Sequence, residues 1–368
     1  MTARRIPFMA LTPGDDAPAI RSAIERVIER GWFVLGPEVE RFESEFAAAM
    51  GAAHAVGVGN GTDALMLILR ALGIGAGDEV ITTPVSAAYT ALAITMVGAT
   101  PVFADIDPVR FTVDPDRMAA LVGPRTRALL PVHLYGQAAD MGAIGRIASR
   151  HGLAIVEDCC QAHLATAAGR PVGTIGVAGA FSFYPTKNLG GMGDGGAVVT
   201  GDRALADRIR RLRNGGQTDR YHHHELGLNS RLDEIQAAIL GARLPRLPAW
   251  TARRREIAAQ YRKALAGGPV DLPAECDAGH VYHLFAVRAR DRSKLQAGLA
   301  SEGVETLVHY PVPIPRQPAF AGFPAADCPV ADRVCDDIVS LPLHPRMTDI
   351  EVAAVAAAVY KGQTSCEL

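Results

Sequence analysis

Short apolar runs alternate with amphipathic helical patterns over much of the chain, from residue 55 to about residue 214. The runs predict seven strands, at residues 55–58, 80–82, 101–104, 128–133, 154–157, 178–183 and 197–200. A helical period between them predicts helices that include residues 63–72, 87–97, 141–151 and 203–214. Strands that alternate with helices are typical of a mainly parallel sheet covered on both faces. The pattern therefore predicts an α/β fold with a central sheet flanked by helices.

The pattern changes after about Pro245. The remaining chain predicts a long charged helix, a strand, a second helix and a last amphipathic helix, at residues 249–265, 281–288, 293–302 and 349–360. These elements indicate a smaller α+β domain. We therefore expect two domains, a large α/β domain over residues 1–245 and a small C-terminal domain over residues 246–368.

Composition narrows the function classes. The 368-residue chain has a formal net charge of −2, so no basic surface for nucleic acid is expected. Its six cysteines include no CxxC pair and its first residues form no apolar signal segment, so we expect reduced thiols and a cytoplasmic protein. Pro84 and Pro101 interrupt the uncharged stretch of residues 80–104, which argues against a membrane span. No metal is expected either, because the three consecutive histidines at 222–224 are poorly placed to face one ion and predict an exposed loop.

Lys187 is the strongest candidate for chemistry. It follows the apolar run at residues 178–183, after a turn at Pro185 and just before a pair of glycines. A lysine that leaves a strand end into a cleft is partly desolvated, which lowers its pKa and makes the amine a nucleophile. Such an amine can form a Schiff base with an aldehyde such as pyridoxal 5'-phosphate (PLP). Taken alone, a lysine in this position is more often an ordinary surface residue in a loop. The other motifs must therefore decide whether Lys187 has a chemical role.

A glycine-rich turn leads from the predicted strand at 55–58 into the next helix. Free N–H groups and the helix dipole at that N-terminus suit a phosphate, with the Thr62 hydroxyl as a further donor. A capped helix after a tight turn is the alternative. Dinucleotide binding is disfavoured, because Thr62 holds the third glycine position of Gly-x-Gly-x-x-Gly and no acid follows the next strand until Asp105. Residues 59–62, named the phosphate loop below, suit a single phosphate monoester.

Asp158 ends the apolar run at residues 154–157. A carboxylate there can pair with a protonated pyridine nitrogen and make the ring an electron sink, and ligands in open α/β sheets bind beyond the carboxyl ends of strands. Gln161 is close enough in sequence to approach the ring or its phenolic oxygen. A strand-end acid that caps the next turn explains Asp158 equally well.

A further helix is expected to start at Ser230 or Asn229, with Asp233 as a capping acid at its third position. From the residues alone this segment predicts a well-capped helix and no chemistry.

Taken together, the motifs resemble the DegT/DnrJ/StrS family of PLP-dependent nucleotide-sugar aminotransferases. The similar segments follow the family order over nearly the whole chain, at residues 31–37, 59–65, 157–163, 182–190, 193–197, 227–234, 309–313 and 341–345. The combination is specific, although each piece alone is not. The resemblance implies the aspartate-aminotransferase fold, PLP-dependent transferase fold type I.

The resemblance also implies roles for individual residues. Lys187 would carry the cofactor as a Schiff base, and Asp158 would pair with its pyridine nitrogen. The other cofactor contacts would be Gly61, Thr62, Asp63 and Ser182 at the phosphate, Gln161 at the ring, and Asn229, which would reach the phosphate of the neighbouring subunit. That implies a homodimer with shared active sites. Arg231 would contact the glutamate carboxylate or the sugar. For His309, Tyr310 and His344 a contact with the sugar and a packing role are both open.

Two departures from the family pattern refine this expectation. Many relatives carry an aromatic residue that stacks on the PLP ring, whereas residues 85–88 have none, and Tyr89 either replaces it or belongs to the core. Lys187 is retained where the dehydratase branch of the family has histidine, which favours transamination.

The expected reaction transfers an amino group from L-glutamate to the keto carbon of a nucleoside-diphosphate sugar, with Lys187 as general base and acid. Residues 229–234 and 309–313 are more similar to relatives that act on 3-keto sugars than to those that act on 4-keto sugars. The alternative is a non-catalytic regulator that binds PLP or a sugar on the same fold.

Overall fold

The computed structural model describes residues 5–364 of the protein. Its helices are α1 (Ala17–Arg30), α2 (Pro37–Ala49), α3 (Gly61–Ala71), α4 (Tyr89–Met96), α5 (Pro115–Ala120), α6 (Met141–His151), α7 (Arg203–Leu212), α8 (Glu234–Arg243), α9 (Leu247–Leu265), α10 (Arg292–Ser301), α11 (Pro329–Asp337) and α12 (Asp349–Thr364). Its strands are β1 (His54–Val58), β2 (Glu79–Thr82), β3 (Thr100–Phe103), β4 (Thr126–Leu130), β5 (Ala154–Asp158), β6 (Thr166–Ala167), β7 (Arg170–Pro171), β8 (Ala178–Ser182), β9 (Gly196–Thr200), β10 (Gln217–Asp219), β11 (His222–His223), β12 (Phe285–Arg288) and β13 (Ile338–Leu341). Short 3₁₀ turns lie at Leu134–Gly136, Leu244–Arg246, Ile314–Arg316 and Pro318–Phe320. Cys366 and the outermost residues of the two predicted domains, 1–4 and 365–368, lie outside the described residues.

Seven strands form the central sheet, in the order β1-β9-β8-β5-β4-β2-β3. The pairs from β8 through β5, β4 and β2 to β3 are parallel, whereas β9 runs antiparallel to both of its neighbours. These are the seven strands that the apolar runs predict, with ends that differ by a few residues. The predicted α/β fold with a mainly parallel sheet is confirmed.

Helices cover both faces of this sheet. On one face, α2, α6 and α8 contribute a buried layer that includes Phe42, Ile144 and Leu240. On the other, α3, α4 and α7 contribute a layer that includes Ile68 and Ile209. Each fully buried side chain of this size contributes about 1.5–3 kcal/mol to folding. Because the strands are buried on both faces, they read in the sequence as continuous apolar runs.

The uncharged stretch of residues 80–104 divides into β2, α4 and β3, as its prolines predict. Among the helices of the described chain, none is long and apolar enough to cross a bilayer. The three consecutive histidines begin in the exposed two-stranded hairpin of β10 and β11 rather than in an irregular loop.

The C-terminal elements enclose an apolar cluster of their own. Residues of α9, α10 and α12 pack around the antiparallel pair of β12 and β13, with Tyr261, Phe285 and Val355 at its centre. The strand predicted at 281–288 begins only at Phe285, because the Val281 N–H bonds to Gly136 and Tyr282 takes a positive φ of 46°. The domain division at residue 245 stays a prediction.

One predicted helix start is wrong. Helix α8 begins at Glu234, not at Ser230 or Asn229. Asn229 forms a bridge with Asn214, so the backbone there is extended. The Ser230 hydroxyl does not cap a helix either, because it accepts the Gly59 N–H.

Glu234 instead caps a different helix. Its carboxylate accepts the N–H groups of Gly36, Glu38 and Val39 at 2.8–3.0 Å, which are the first donors of α2. Helix α2 carries no cap of its own at Gly36, so a residue of α8 supplies the missing acceptors.

Candidate active site

A cavity of about 720 Å³ opens where β5 and β8 end and α3 begins. Eight of the predicted cofactor residues line it: Gly61, Thr62, Asp63, Tyr89, Asp158, Gln161, Ser182 and Lys187. Strand ends and helix N-termini meet here because the carboxyl ends of parallel strands share one edge of a sheet. The sequence thus brings an amine, a carboxylate and a helix N-terminus into one cleft.

Lys187 lies in the turn that follows β8, where its N–H donates to the Tyr184 carbonyl at 2.8 Å. The side chain is half-buried at the cavity wall. Burial lowers the pKa of the Lys187 ammonium from its ordinary value, while the charges of Cys160 and Asp158 oppose that change. A larger fraction of neutral amine at a given pH is what a lysine nucleophile requires.

Asp158 is buried at the end of β5, and both of its oxygens have protein partners. Thr90 Oγ1 donates to Oδ2 at 2.8 Å, and the Cys160 N–H donates to Oδ1 at 3.1 Å. Ser86 Oγ lies 3.2 Å from Thr90 Oγ1; since the Thr90 proton is directed to Asp158, Ser86 is the donor in that contact. Sequence reasoning missed Thr90 and Ser86, and their only signal was the presence of hydroxyls in an otherwise apolar helix and turn.

Behind Asp158, a buried carboxylate with four hydrogen-bond donors anchors the strand. Glu157 Oε2 accepts from His133 Nε2 at 3.0 Å and from the Gly173 N–H at 2.8 Å. Glu157 Oε1 accepts the N–H groups of Ile175 and Gly176 at 2.8 and 2.7 Å. Burial alone would raise the pKa of Glu157, but the hydrogen bond from His133 and the N–H groups of Gly176 and Gly173 hold it below its ordinary value.

Glu157 and His133 also lie close to Cys159, as in a metal site. His133 Nδ1, however, accepts the Ala139 N–H at 3.1 Å, so Nε2 carries the proton and donates to Glu157. Neither ring nitrogen of His133 has a lone pair left for an ion. Glu157, His133 and Cys159 therefore have a structural role rather than a metal-binding one.

The phosphate loop owes its shape to close contacts. Asn60 caps α3 by accepting the Asp63 N–H at 2.8 Å, so Gly61 and Thr62 present the first N–H groups of the helix to the cavity. A Cβ on Gly61 would lie 2.6 Å from Cys160 Sγ, which explains the glycine. The Asp63 carboxylate accepts from Ser230 Oγ at 2.6 Å. Asp63 therefore shapes the loop and has no N–H left for a phosphate.

Gln161 is fixed at both ends of its amide. Its Oε1 accepts the Tyr135 N–H at 2.7 Å, and its Nε2 donates to the Tyr310 hydroxyl at 2.9 Å. Tyr310 is thereby held next to a predicted cofactor contact that lines the main cavity, although Tyr310 itself is not a lining residue. His309 lies beside it, bonded to Ser340 Oγ at 2.9 Å, and burial together with the charge of Lys187 lowers its pKa to about 4.

The three remaining predicted contacts also lie outside the lining of the main cavity. His344 is buried and lines a separate cavity of about 90 Å³ on another side of Lys187, and burial lowers its pKa to about 4. Arg231 donates to Asn214 Oδ1 at 3.1 Å. Asn229 is exposed and does not line the cavity of its own chain. A direct contact of His344 or Arg231 with a ligand in the main cavity of the same chain is therefore not supported.

The model of the DegT/DnrJ/EryC1/StrS aminotransferase family matches residues 15–360. The chain is 48% identical over 361 residues, 96% of this chain and 95% of the other, to a dTDP-3-amino-3,4,6-trideoxy-alpha-D-glucose transaminase of Streptomyces venezuelae. It is 46% identical over 338 residues, 90% of this chain and 91% of the other, to a pleiotropic regulatory protein of Geobacillus stearothermophilus.

Solved structures give the same result. A crystal structure of DesV from S. venezuelae with a ketimine intermediate matches with a TM-score of 0.94 at 47% identity, covering 97% of this chain and 98% of that one. A Bacillus subtilis structure with the bound cofactor PMP matches with a TM-score of 0.91 at 31% identity, covering 97% and 85%. The predicted aspartate-aminotransferase fold is confirmed.

Proposed function

Because the chain belongs to the DegT/DnrJ/EryC1/StrS aminotransferase family, we propose that it transfers an amino group from L-glutamate to the keto carbon of a nucleotide-linked sugar, with PLP as its cofactor. One observation carries the proposal: a single cavity joins the Lys187 amine, the Asp158 carboxylate and the free N-terminus of α3. The S. venezuelae relative, named as a sugar transaminase, supports the substrate class.

The donor set of the cavity fits PLP. Lys187 offers an amine for the aldehyde, Asp158 a buried carboxylate for the pyridine nitrogen, and Gly61 and Thr62 offer N–H groups for the phosphate. When bound, PLP supplies an aldehyde that accepts amino groups and a ring that stabilises negative charge on the adjacent carbon. The B. subtilis structure with bound PMP supports the same cofactor class.

The residues of this chain then have separate tasks. Lys187 Nζ takes the proton from Cα of the amino donor and returns a proton in the second half-reaction, which its lowered pKa favours. Asp158, held by Thr90 and by the Cys160 N–H, keeps one fixed orientation toward the ring nitrogen. Tyr89 lines the cavity and is 63% exposed in the isolated chain, so we assign to it the place over the ring where residues 85–88 offer no aromatic side chain.

We favour a 3-keto sugar. The similarity at residues 229–234 and 309–313 and the 3-amino product in the name of the S. venezuelae relative support this position. Tyr310 is hydrogen-bonded to the cavity-lining Gln161, and with its neighbour His309 it is the best placed of the predicted sugar contacts. The volume of the cavity, about 720 Å³, lies within the range of sites that hold small ligands.

We also propose a cytoplasmic homodimer with shared sites. Asn229 is exposed rather than directed into its own cavity, and Trp32 and Phe33 leave about half of their surface uncovered close to α8. Mixing inactive Asn229→Ala subunits with inactive Lys187→Ala subunits tests the arrangement. Shared sites restore one intact site in each mixed dimer and recover activity, whereas unshared sites recover none.

The reaction itself is tested with purified protein and L-glutamate. The absorbance of the bound cofactor should shift on addition of glutamate and return when the correct keto sugar nucleotide is added, with the position of the new amine read by NMR. Lys187→Ala should lose both responses, and Lys263→Ala, exposed on α9, should keep them. Wild-type protein without PLP, or equal turnover in Lys187→Ala, would overturn the proposal.

The name of the G. stearothermophilus relative favours a second candidate, a regulator that binds PLP or a sugar without turnover. Lys187 and Asp158 weigh against it, because both line the cavity and supply the amine and the carboxylate that turnover requires. A cofactor that binds but never reacts with glutamate would favour the regulator.

A further inference from the structure

Tyr135 occupies an unusual place for a bulky residue. It lies in the 3₁₀ turn after β4, with a positive φ of 58° and a side chain that is 4% exposed. Left-handed backbone is uncommon for an aromatic residue and persists only where the surroundings fix it. An observed outlier of this kind is a reason to ask what it positions.

The Tyr135 backbone is bonded to a residue that lines the main cavity. Its N–H donates to Gln161 Oε1 at 2.7 Å, and Gln161 lines the cavity. The bond uses one end of the Gln161 amide, which fixes the other end, Nε2, as the donor to the Tyr310 hydroxyl. The left-handed turn therefore decides how the amide is oriented.

The Tyr135 side chain reaches the C-terminal part of the chain. Its hydroxyl donates to the carbonyl of His309, the residue before Tyr310. Burial, and after it the neighbouring Tyr310 and Cys335, raises the pKa of Tyr135 well above its ordinary value, so the hydroxyl keeps its proton and remains a donor. Three hydrogen bonds among Tyr135, Gln161, Tyr310 and His309 thus form a ring that the peptide bond between the last two residues closes, named the Tyr135 network.

We propose that Tyr135 is a positioning residue for the active site: its N–H sets the amide of the cavity-lining Gln161, and its hydroxyl holds residues 309–310 beside that amide. The network ties the sheet side of the cavity to chain that follows residue 245. The effect of the network on sugar binding rests on the proposed function. Its effect on how rigidly residues 307–312 are held does not.

Tyr135→Phe removes the hydroxyl and keeps both the ring and the N–H. Tyr261→Phe is the matched control, because Tyr261 is also buried and its hydroxyl donates to the Pro342 carbonyl at 2.7 Å within the C-terminal cluster. Both substitutions delete one buried hydroxyl-to-carbonyl hydrogen bond. Only the first acts on the cavity wall.

Hydrogen exchange followed by mass spectrometry gives the first readout. Peptides that cover residues 307–312 should exchange about fivefold faster in Tyr135→Phe, the factor expected for one lost hydrogen bond. Tyr261→Phe should leave these peptides unchanged. Wild-type exchange of residues 307–312 in Tyr135→Phe, or equal acceleration in both variants, would overturn the role of Tyr135.

Steady-state kinetics gives the second readout. Tyr135→Phe should raise KM for the keto sugar about fivefold with little change in kcat, because the cavity wall contributes to binding rather than to the chemical step. Tyr310→Phe opens the same ring, so the double variant should lose less than the product of the two single effects. Independent effects would show that the ring is not a unit. A wild-type protein without any turnover overturns the proposed function and leaves the exchange result to decide on the network.

Discussion

Glu157→Gln tests whether the buried hydrogen bonds to the Glu157 carboxylate, next to Asp158, stabilise the fold. Glu157 is fully buried, and each carboxylate oxygen accepts two hydrogen bonds: Oε1 from Ile175 and Gly176, Oε2 from Gly173 and from His133. A glutamine has only one acceptor oxygen. In either orientation its NH₂ group faces two donors, so two hydrogen bonds are lost.

The size of the loss follows from the kind of bond. A hydrogen bond to a charged group contributes about 1.5–3 kcal/mol, so the substitution should lower the free energy of unfolding by about 3–6 kcal/mol. That is a large part of the stability of a typical domain, about 5–15 kcal/mol. Urea unfolding followed by circular dichroism measures it as a lower midpoint at unchanged slope.

Glu45→Gln is the control for this measurement. Glu45 is about half exposed on α2 and has only a 3.9 Å contact with Arg41, so its loss should stay within about 0.5 kcal/mol. If Glu157→Gln costs no more than Glu45→Gln, the reasoning from donor and acceptor counts is wrong.

Three further predictions concern the same region. Thr90→Val keeps the shape of the side chain but removes the 2.8 Å bond to Asp158, and kcat should fall about tenfold; an unchanged kcat would exclude a role for this bond. Gly61→Ala should weaken cofactor binding by about tenfold or more, measured by fluorescence titration, because the added Cβ would lie 2.6 Å from a cysteine sulfur. Gly201→Ala, with open space around the added Cβ, is its control and should bind normally. Because the pKa of Glu157 is lower in the folded protein, its stabilisation is complete above the unfolded-state pKa and is lost as the pH falls through the folded value; urea midpoints that drop equally with acid in wild type and Glu157→Gln would contradict this.

The sheet was predictable from the sequence because its strands are buried on both faces. Val80 and Ile81, for example, face opposite layers and are both fully buried, so neither interrupts the apolar run. The short elements α11 and β13 gave no comparable signal, since each is held by neighbours that are distant in sequence. The start of α8 was wrong for the same reason: Ser230 looks like a cap, but its hydroxyl serves the phosphate loop.

The residues of the candidate site also differ in whether a local sequence pattern predicts them. Lys187 and the phosphate loop carry local signals, a strand end and a glycine-rich turn, and the structure brings both to one cavity. Thr90 is 68 positions away from Asp158 in the chain, and no local pattern joins them. His344 matches a family segment, yet it lies in a smaller cavity, because a motif fixes the order of residues and not the side from which they approach Lys187.

The position of β1 at the edge of the sheet has a consequence for synthesis on the ribosome. Strand β1 pairs only with β9, from His54 opposite Thr200 to Val58 opposite Gly196. At about 5–20 residues per second, translation from one strand to the other takes about 7–28 seconds. During that time the nascent chain already contains the phosphate loop but lacks the strand that anchors it. A ribosome-bound chain that ends before β9 should therefore not bind the cofactor, however complete its other strands are.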